Sequence, residues 1–307
     1  MKHVAALFVL LSLTLAGPAM AAPIATYLDL GPVAATLDET EAKVKEALAA
    51  DGFTLLGSYA PMGDAAAYRV VVYTHDDLLK ALGTVAPQRG LAAALKVGLR
   101  RDAETSRVTM TNPDLIFRAY LQGDYAKVAA PLGVVAKKAV GVFTAARGFA
   151  GKAAPMGGGD LDSDEVADYH YMFGMEYFGD QVKLSGTKAD FAARTKAIEA
   201  RLADGSGGMK KVFSVTIPRA DGKRVAVYGV GLLDPKKGEP FFLPIIGVDH
   251  LAALPYELVV IDTDAYMLHG RYRIALHWPA LTMGTFTKII STPGEIEEQL
   301  REVVRVK

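Results

Sequence analysis

The sequence predicts an α+β protein of two tandem repeats, each a small antiparallel sheet with helices packed on one face. Three observations carry this. Strand-like runs such as Tyr68 to Tyr73 alternate with helical stripes such as Leu37, Val44 and Leu48. The helices of the two halves carry matching punctuation: Thr36 with Glu39 and then Asp51-Gly52, Thr187 with Asp190 and then Asp204-Gly205. The order of elements in the first half also returns in the second, the mark of a duplicated unit.

In the first half, Ala25 to Leu30 reads as a strand. Thr36 and Glu39 form a capping box that satisfies orphan backbone donors at a helix start, and Asp51-Gly52 stops that helix. Phe53 to Tyr59 and Tyr68 to Tyr73 read as strands joined through the turn Pro61-Met-Gly-Asp64. A helix runs from His75 to about Leu82. Ala92 to Arg100 and Arg107 to Thr111 form a hairpin, and Asn112-Pro113 starts a further helix, where proline loses no hydrogen bond.

In the second half, Phe191, Thr195, Ile198 and Leu202 repeat the helical stripe. Val212 to Ile217 and Val225 to Leu233 are the next strands, followed by Asp249 to Leu254 and Glu257 to Asp262. Arg271 to Leu276 reads as a strand ending in Pro279, an echo of Arg107 to Pro113. Thr292 and Glu295 spell a third capping box ahead of a helix with Ile296, Leu300 and Val303 on its apolar side. The expected organisation is a leader at 1–21, a first repeat at 22–125, a linker and acidic turn at 126–172, a second repeat at 173–290 and a final helix at 291–307.

Composition bounds the function. The chain has 307 residues, with Lys+Arg and Asp+Glu both at 34, so no basic excess points to nucleic acid. Hydrophobic residues make up 51% and charged residues 22%, as in a folded globular protein. There is no cysteine, which excludes disulfides, thiolate metal sites and a cysteine nucleophile. Lys2 and His3, the apolar run Val4 to Ala16, the break at Gly17-Pro18 and Ala19-Met20-Ala21 together read as a cleaved secretory signal. The expected address is the periplasm of a Gram-negative bacterium, or secretion.

The helix ending Ala-Ala-Asp51-Gly52-Phe53, the strand opening on Tyr68-Arg69, the Leu78-Leu79…Leu82 helix and the strand pair ending Val108-Thr-Met-Thr-Asn-Pro113 carry a resemblance. In these residues the first repeat resembles the bacterial domain-of-unknown-function 302 family, which has a TT1751-like α+β fold. Family members follow the Tyr-Arg strand with an Asn-Pro helix start; here Thr74-His75-Asp76 stands at that place. The second repeat keeps Val227-Tyr228, Leu254 and Pro279. The resemblance implies a fold and adds no activity or cofactor.

Candidate sites are few. Asp160-Leu-Asp162-Ser-Asp164 begins like a calcium loop, but Glu165 and Tyr171 stand where that loop needs glycine and glutamate, which favours a solvated acidic turn. His170, Met172 and Met175 are weak candidates for a soft metal, with an aromatic strand and core-filling methionines as the simpler reading. His269 and His277, at the two ends of the expected strand, would be roughly 25 Å apart and unable to share an ion. His75 with Asp76 and Asp77 offers acid-base groups, more simply read as helix-start residues. No catalytic motif stands out and no cofactor is expected.

The segment 129–150 interleaves Val134, Val135, Val142, Phe143 and Phe149 with Lys137, Lys138 and Arg147. Its readings are a packed helix, a lid, or a peripheral membrane contact. The preferred function is non-catalytic binding of a small apolar ligand or lipid through Phe143, Phe149, Tyr169, Tyr171, Phe173 and Trp278. The alternatives are an envelope interaction or structural protein, and then a hydrolase using His75 and Asp76 or a metal-binding protein.

Overall fold

The computed structural model describes residues 23–306 apart from 158–160, 164 and 186–187. The expected leader, the cap residue Thr187 and the acidic residues Asp160 and Asp164 lie outside the described residues. The chain opens with β1 (Pro23–Ile24) and β2 (Tyr27–Val33), then α1 (Leu37–Ala50), β3 (Thr54–Tyr59), β4 (Tyr68–Thr74) and α2 (Asp76–Leu82). A 3-10 turn (Pro87–Ala92) leads into β5 (Leu95–Asp102), β6 (Thr105–Thr111), α3 (Pro113–Leu121) and α4 (Tyr125–Gly141). After β7 (Ala154–Met156) and β8 (Leu161–Asp162) come β9 (Val182–Lys183), α5 (Phe191–Asp204), β10 (Met209–Ile217), β11 (Val225–Leu232) and α6 (Glu239–Ile246). A second 3-10 turn (Val248–Ala253) precedes β12 (Tyr256–Ile261), β13 (Asp264–Met267), α7 (Gly270–His277), α8 (Met283–Phe286) and α9 (Thr292–Val304).

The architecture is α+β. One antiparallel sheet has the order β3-β4-β5-β6-β2-β7 and the other β10-β11-β12-β13-β9, while β1 and β8 form a small separate pair. Local chemistry explains the starts and stops. The Thr36 and Glu39 side chains and backbones bond reciprocally, completing the capping box. Asp190 caps α5, and Gly205 ends it in the left-handed conformation that glycine adopts without a Cβ penalty. Asn112 caps α3 with Pro113 in its first turn.

The halves interlock through their 3-10 turns. A Cβ on Gly98 of β5 would sit 2.9 Å from both Ala252 N and Leu251 Cβ, so the second turn rides directly on the first sheet. Gly90 in the first turn faces Ile217, Val225 and Val227 of the second sheet in the same way. The Thr111 hydroxyl donates to the Ala252 carbonyl at 2.7 Å, and Arg219 donates to the carbonyls of Leu82 and Val85. One continuous apolar core runs through both sheets.

Residues 126–172 contribute α4, which packs on α2 and α3, and β7, which extends the first sheet. Phe143 and Phe149 are buried edge-to-face with ring centroids 5.0 Å apart, and a bidentate Arg147–Asp51 pair ties this stretch to the end of α1.

Two expectations are corrected. Arg271 to Leu276 lies in helix α7, not in a strand; the second sheet takes Asp264–Met267 as its strand, and His269 caps the helix through its Nδ1. The Thr292–Glu295 capping box does not form. Ser291 is already in helical conformation because the chain runs from Phe286 into α9 without an extended residue, and a side-chain cap needs one.

Candidate functional site

Helix α7 separates two unlike environments. On one side is a buried polar seam between the sheets. Lys96 from β5 pairs with Glu257 from β12, and both are buried. Arg273 from α7 lies 3.8 Å from the same carboxylate, donates to the carbonyls of Ala253 and Pro255, and stacks 3.7 Å over the Tyr256 ring. Next to it, the Tyr27 hydroxyl donates to the His277 carbonyl at 2.9 Å, and the Tyr120 hydroxyl lies 2.9 Å from His277 Nε2. The Tyr59 hydroxyl donates to Glu239 Oε1 at 3.0 Å, joining β3 to α6.

Burial sets the charges here. It lifts the Glu239 carboxyl well above the usual carboxylate range. It holds His277 well below the usual imidazole range, with Arg273 and Lys96 adding repulsion. It also pulls the Lys96 ammonium down in spite of its partner. The seam therefore holds neutral groups around one ionic cluster, and it links residues of both sheets.

On the other side of α7 is an apolar pocket of about 290 Å³, near the lower end of the usual range for ligand sites. Arg271, Ile274, Ala275 and Trp278 form one wall, at the spacing that places them on one helical face. Tyr171, Met172 and Met175 form a second, from the aromatic stretch, and Leu281, Met283, Phe286 and Ile290 close the rest. The 172–175 turn closes with a bond from Met175 N to the Met172 carbonyl, and Gly174 supplies its positive φ.

Of the residues expected to bind, the structure brings Tyr171 and Trp278 into this pocket, along with Met172 and Met175 from the soft-metal candidates. Tyr169 stands behind it, donating to the Ala275 carbonyl at 3.0 Å and packing against Tyr272. Phe173 is 99% exposed beside the mouth. Phe143 and Phe149 lie elsewhere, in the core under α4. His170 is on the surface with its ring 4.4 Å from that of Tyr177. His75 caps α2 by accepting the Asp77 N–H at Nδ1, and its Nε2 lies 3.2 Å from Lys138 Nζ, so the ring is fixed at the helix start. Among the described residues, no three His, Asp or Glu side chains are grouped to hold a metal ion, and no helix is long and apolar enough to cross a membrane.

Sequence reasoning missed Ile274, Ala275, Leu281, Met283, Phe286 and Ile290 in the pocket, and the whole polar seam. The signal for the wall was present: 271, 274, 275 and 278 have helical spacing, visible once that stretch is read as helix. The seam left none, because its members come from segments far apart in sequence.

No protein-family model matches the chain, and no curated protein matches it. Among solved structures, an uncharacterized conserved protein DUF302 from Bacillus stearothermophilus is similar to part of it. That alignment covers 40% of this chain and 98% of that one, at 13% identity and a TM-score of 0.34.

Proposed function

We propose that this protein is a non-catalytic binder of a small apolar ligand, held between α7, the 171–175 turn and the α8 segment. One observation carries the reading. Tyr171, Met172, Met283 and Ile290 are exposed large hydrophobic residues that line the same pocket, and Phe173 adjoins them. Exposed apolar side chains gathered around one concavity offer a small apolar ligand a surface to cover, and methionines adapt their shape to varied ligands. The leader-like first residues would place this binding in the periplasm or outside the cell. The common strand order of the two sheets supports reading the chain as two divergent copies of one DUF302-like unit.

Trp278 is the only tryptophan and lines this pocket, so a probe bound there acts on the chain's single indole emitter. Titration with the apolar probe 1-aminoanthracene should shift Trp278 emission. Ala275→Phe, which fills the pocket, should abolish the shift while leaving the melting curve close to wild type. Probe binding unchanged in Ala275→Phe would sink the assignment.

A further inference from the structure

The side chains lining the pocket are mostly carbon and sulfur. Only three of them carry nitrogen or oxygen: Tyr171, Arg271 and Trp278. Two of these are pure donors. Trp278 is 2% exposed, and its Nε1 has no acceptor among the described residues. That nitrogen is sealed from solvent, so what Trp278 offers the pocket is ring surface.

Arg271 is the pocket's one charged lining residue. Its Nη1 is 3.3 Å from Glu176 Oε1, and His269 Nε2 lies 3.6 Å from that same oxygen. Glu176 thus holds the guanidinium against the wall from one side. Its other carboxylate oxygen, Oε2, is buried with no partner. No carboxylate lines the pocket itself.

We infer that the ligand is a small carboxylic acid with an apolar body: its chain or ring lies among Met172, Met175, Met283 and Phe286, and its carboxylate takes the guanidinium donors of Arg271. This rests on the pocket being a binding site, and it adds the class of ligand. A guanidinium fork suits a carboxylate in particular, because two parallel N–H bonds meet two oxygens. A neutral alcohol of the same body would leave the charge of Arg271 unused. An ammonium would face a cation.

The test is calorimetric titration of the full purified chain with octanoate, octanol and octylammonium, each below its aggregation concentration. Octanoate should bind at least about tenfold tighter than octanol, the effect of one charge-assisted pair. Arg271 is half exposed, so Arg271→Gln should fold normally; it should cut octanoate affinity about tenfold and leave octanol within about twofold. Glu176→Gln frees the guanidinium from its competitor and should tighten octanoate, a gain that a merely structural role for this pair does not produce. Octanol or octylammonium binding as tightly as octanoate, or Arg271→Gln leaving octanoate unchanged, would overturn the carboxylate assignment with the pocket intact. If none of the three probes binds, both the assignment and the binding site fall together.

Discussion

At the scale of single residues, the seam decides more than the surface does. Ion pairs open to solvent, such as Lys211–Glu199 and Arg305–Glu302, are worth little. Lys96 and Glu257 are buried, and the cost of stripping water from them is offset only while both remain. Glu257→Gln leaves Lys96 and Arg273 facing each other in a dry interior. It should cost about 3–5 kcal/mol in urea unfolding, and adding Lys96→Met should restore a large part of that. Additive losses in the double mutant would show that the pair is not coupled. Glu239 gives a separate pH signature. Its folded pKa is raised, so the unfolded chain releases this proton first as pH climbs. Stability is fully present below the unfolded value, about 4.3, and is lost as pH rises toward the folded one. Glu239→Gln keeps an acceptor for Tyr59 and has no proton to lose. Its melting temperature should match wild type near pH 4 and exceed it increasingly toward pH 8. His277 acts with the opposite sign. Its folded pKa is depressed, so wild-type stability is present above about pH 6.5 and falls below it. His277→Gln should flatten that acid limb, and an unaltered limb would assign it to other groups.

At the scale of elements, small residues set how closely the two halves approach. Gly98 has no room for a methyl group, since backbone as well as side chain of the Leu251–Ala252 turn lies 2.9 Å from where it would sit. Gly98→Ala should therefore destabilise by about 1–3 kcal/mol through overpacking. A mutant as stable as wild type in chemical denaturation would show that the turn can move away freely. The same elements show what was legible beforehand. Local signals with their own chemistry were readable: the Thr36–Glu39 box, the Asp51-Gly52 stop, Asn112-Pro113, and Asp190 with Gly205. The α7 segment misled because Arg271-Tyr-Arg-Ile-Ala-Leu reads equally well as strand or helix over so short a length. What settles it is tertiary: Arg273 must reach the seam while Arg271 and Ile274 face the pocket. A strand would send Arg271 and Arg273 to one side. The Thr292 signal failed for a related reason, because the preceding turn was already helical. Tyr171 and Trp278 were found from aromatic character alone, and Phe143 and Phe149 share that character while serving the core.

At the scale of the whole molecule, the question is whether the two sheets are independent. Chains of this length often unfold in separate steps, one per domain. Here each sheet carries a turn from the other half at Gly98 and Gly90, and Thr111 bonds to Ala252 across the join. Opening that join would strand Lys96 without Glu257 and Tyr120 without His277, exposing apolar and ionic groups together. The cost of separating the halves thus approaches the cost of unfolding either one, which is the condition for a single cooperative transition. Calorimetry of the full chain should show one peak whose van't Hoff and calorimetric enthalpies agree. Trp278 emission, which reports the second half, and the near-ultraviolet signal of the buried tyrosines on both sheets should melt together. Two resolved peaks, or tyrosine and tryptophan midpoints that differ by more than their error, would mean that the seam is a contact between autonomous domains. In that case Glu257→Gln should lower only one of the two midpoints, and which one it lowers would identify the half that depends on the pair.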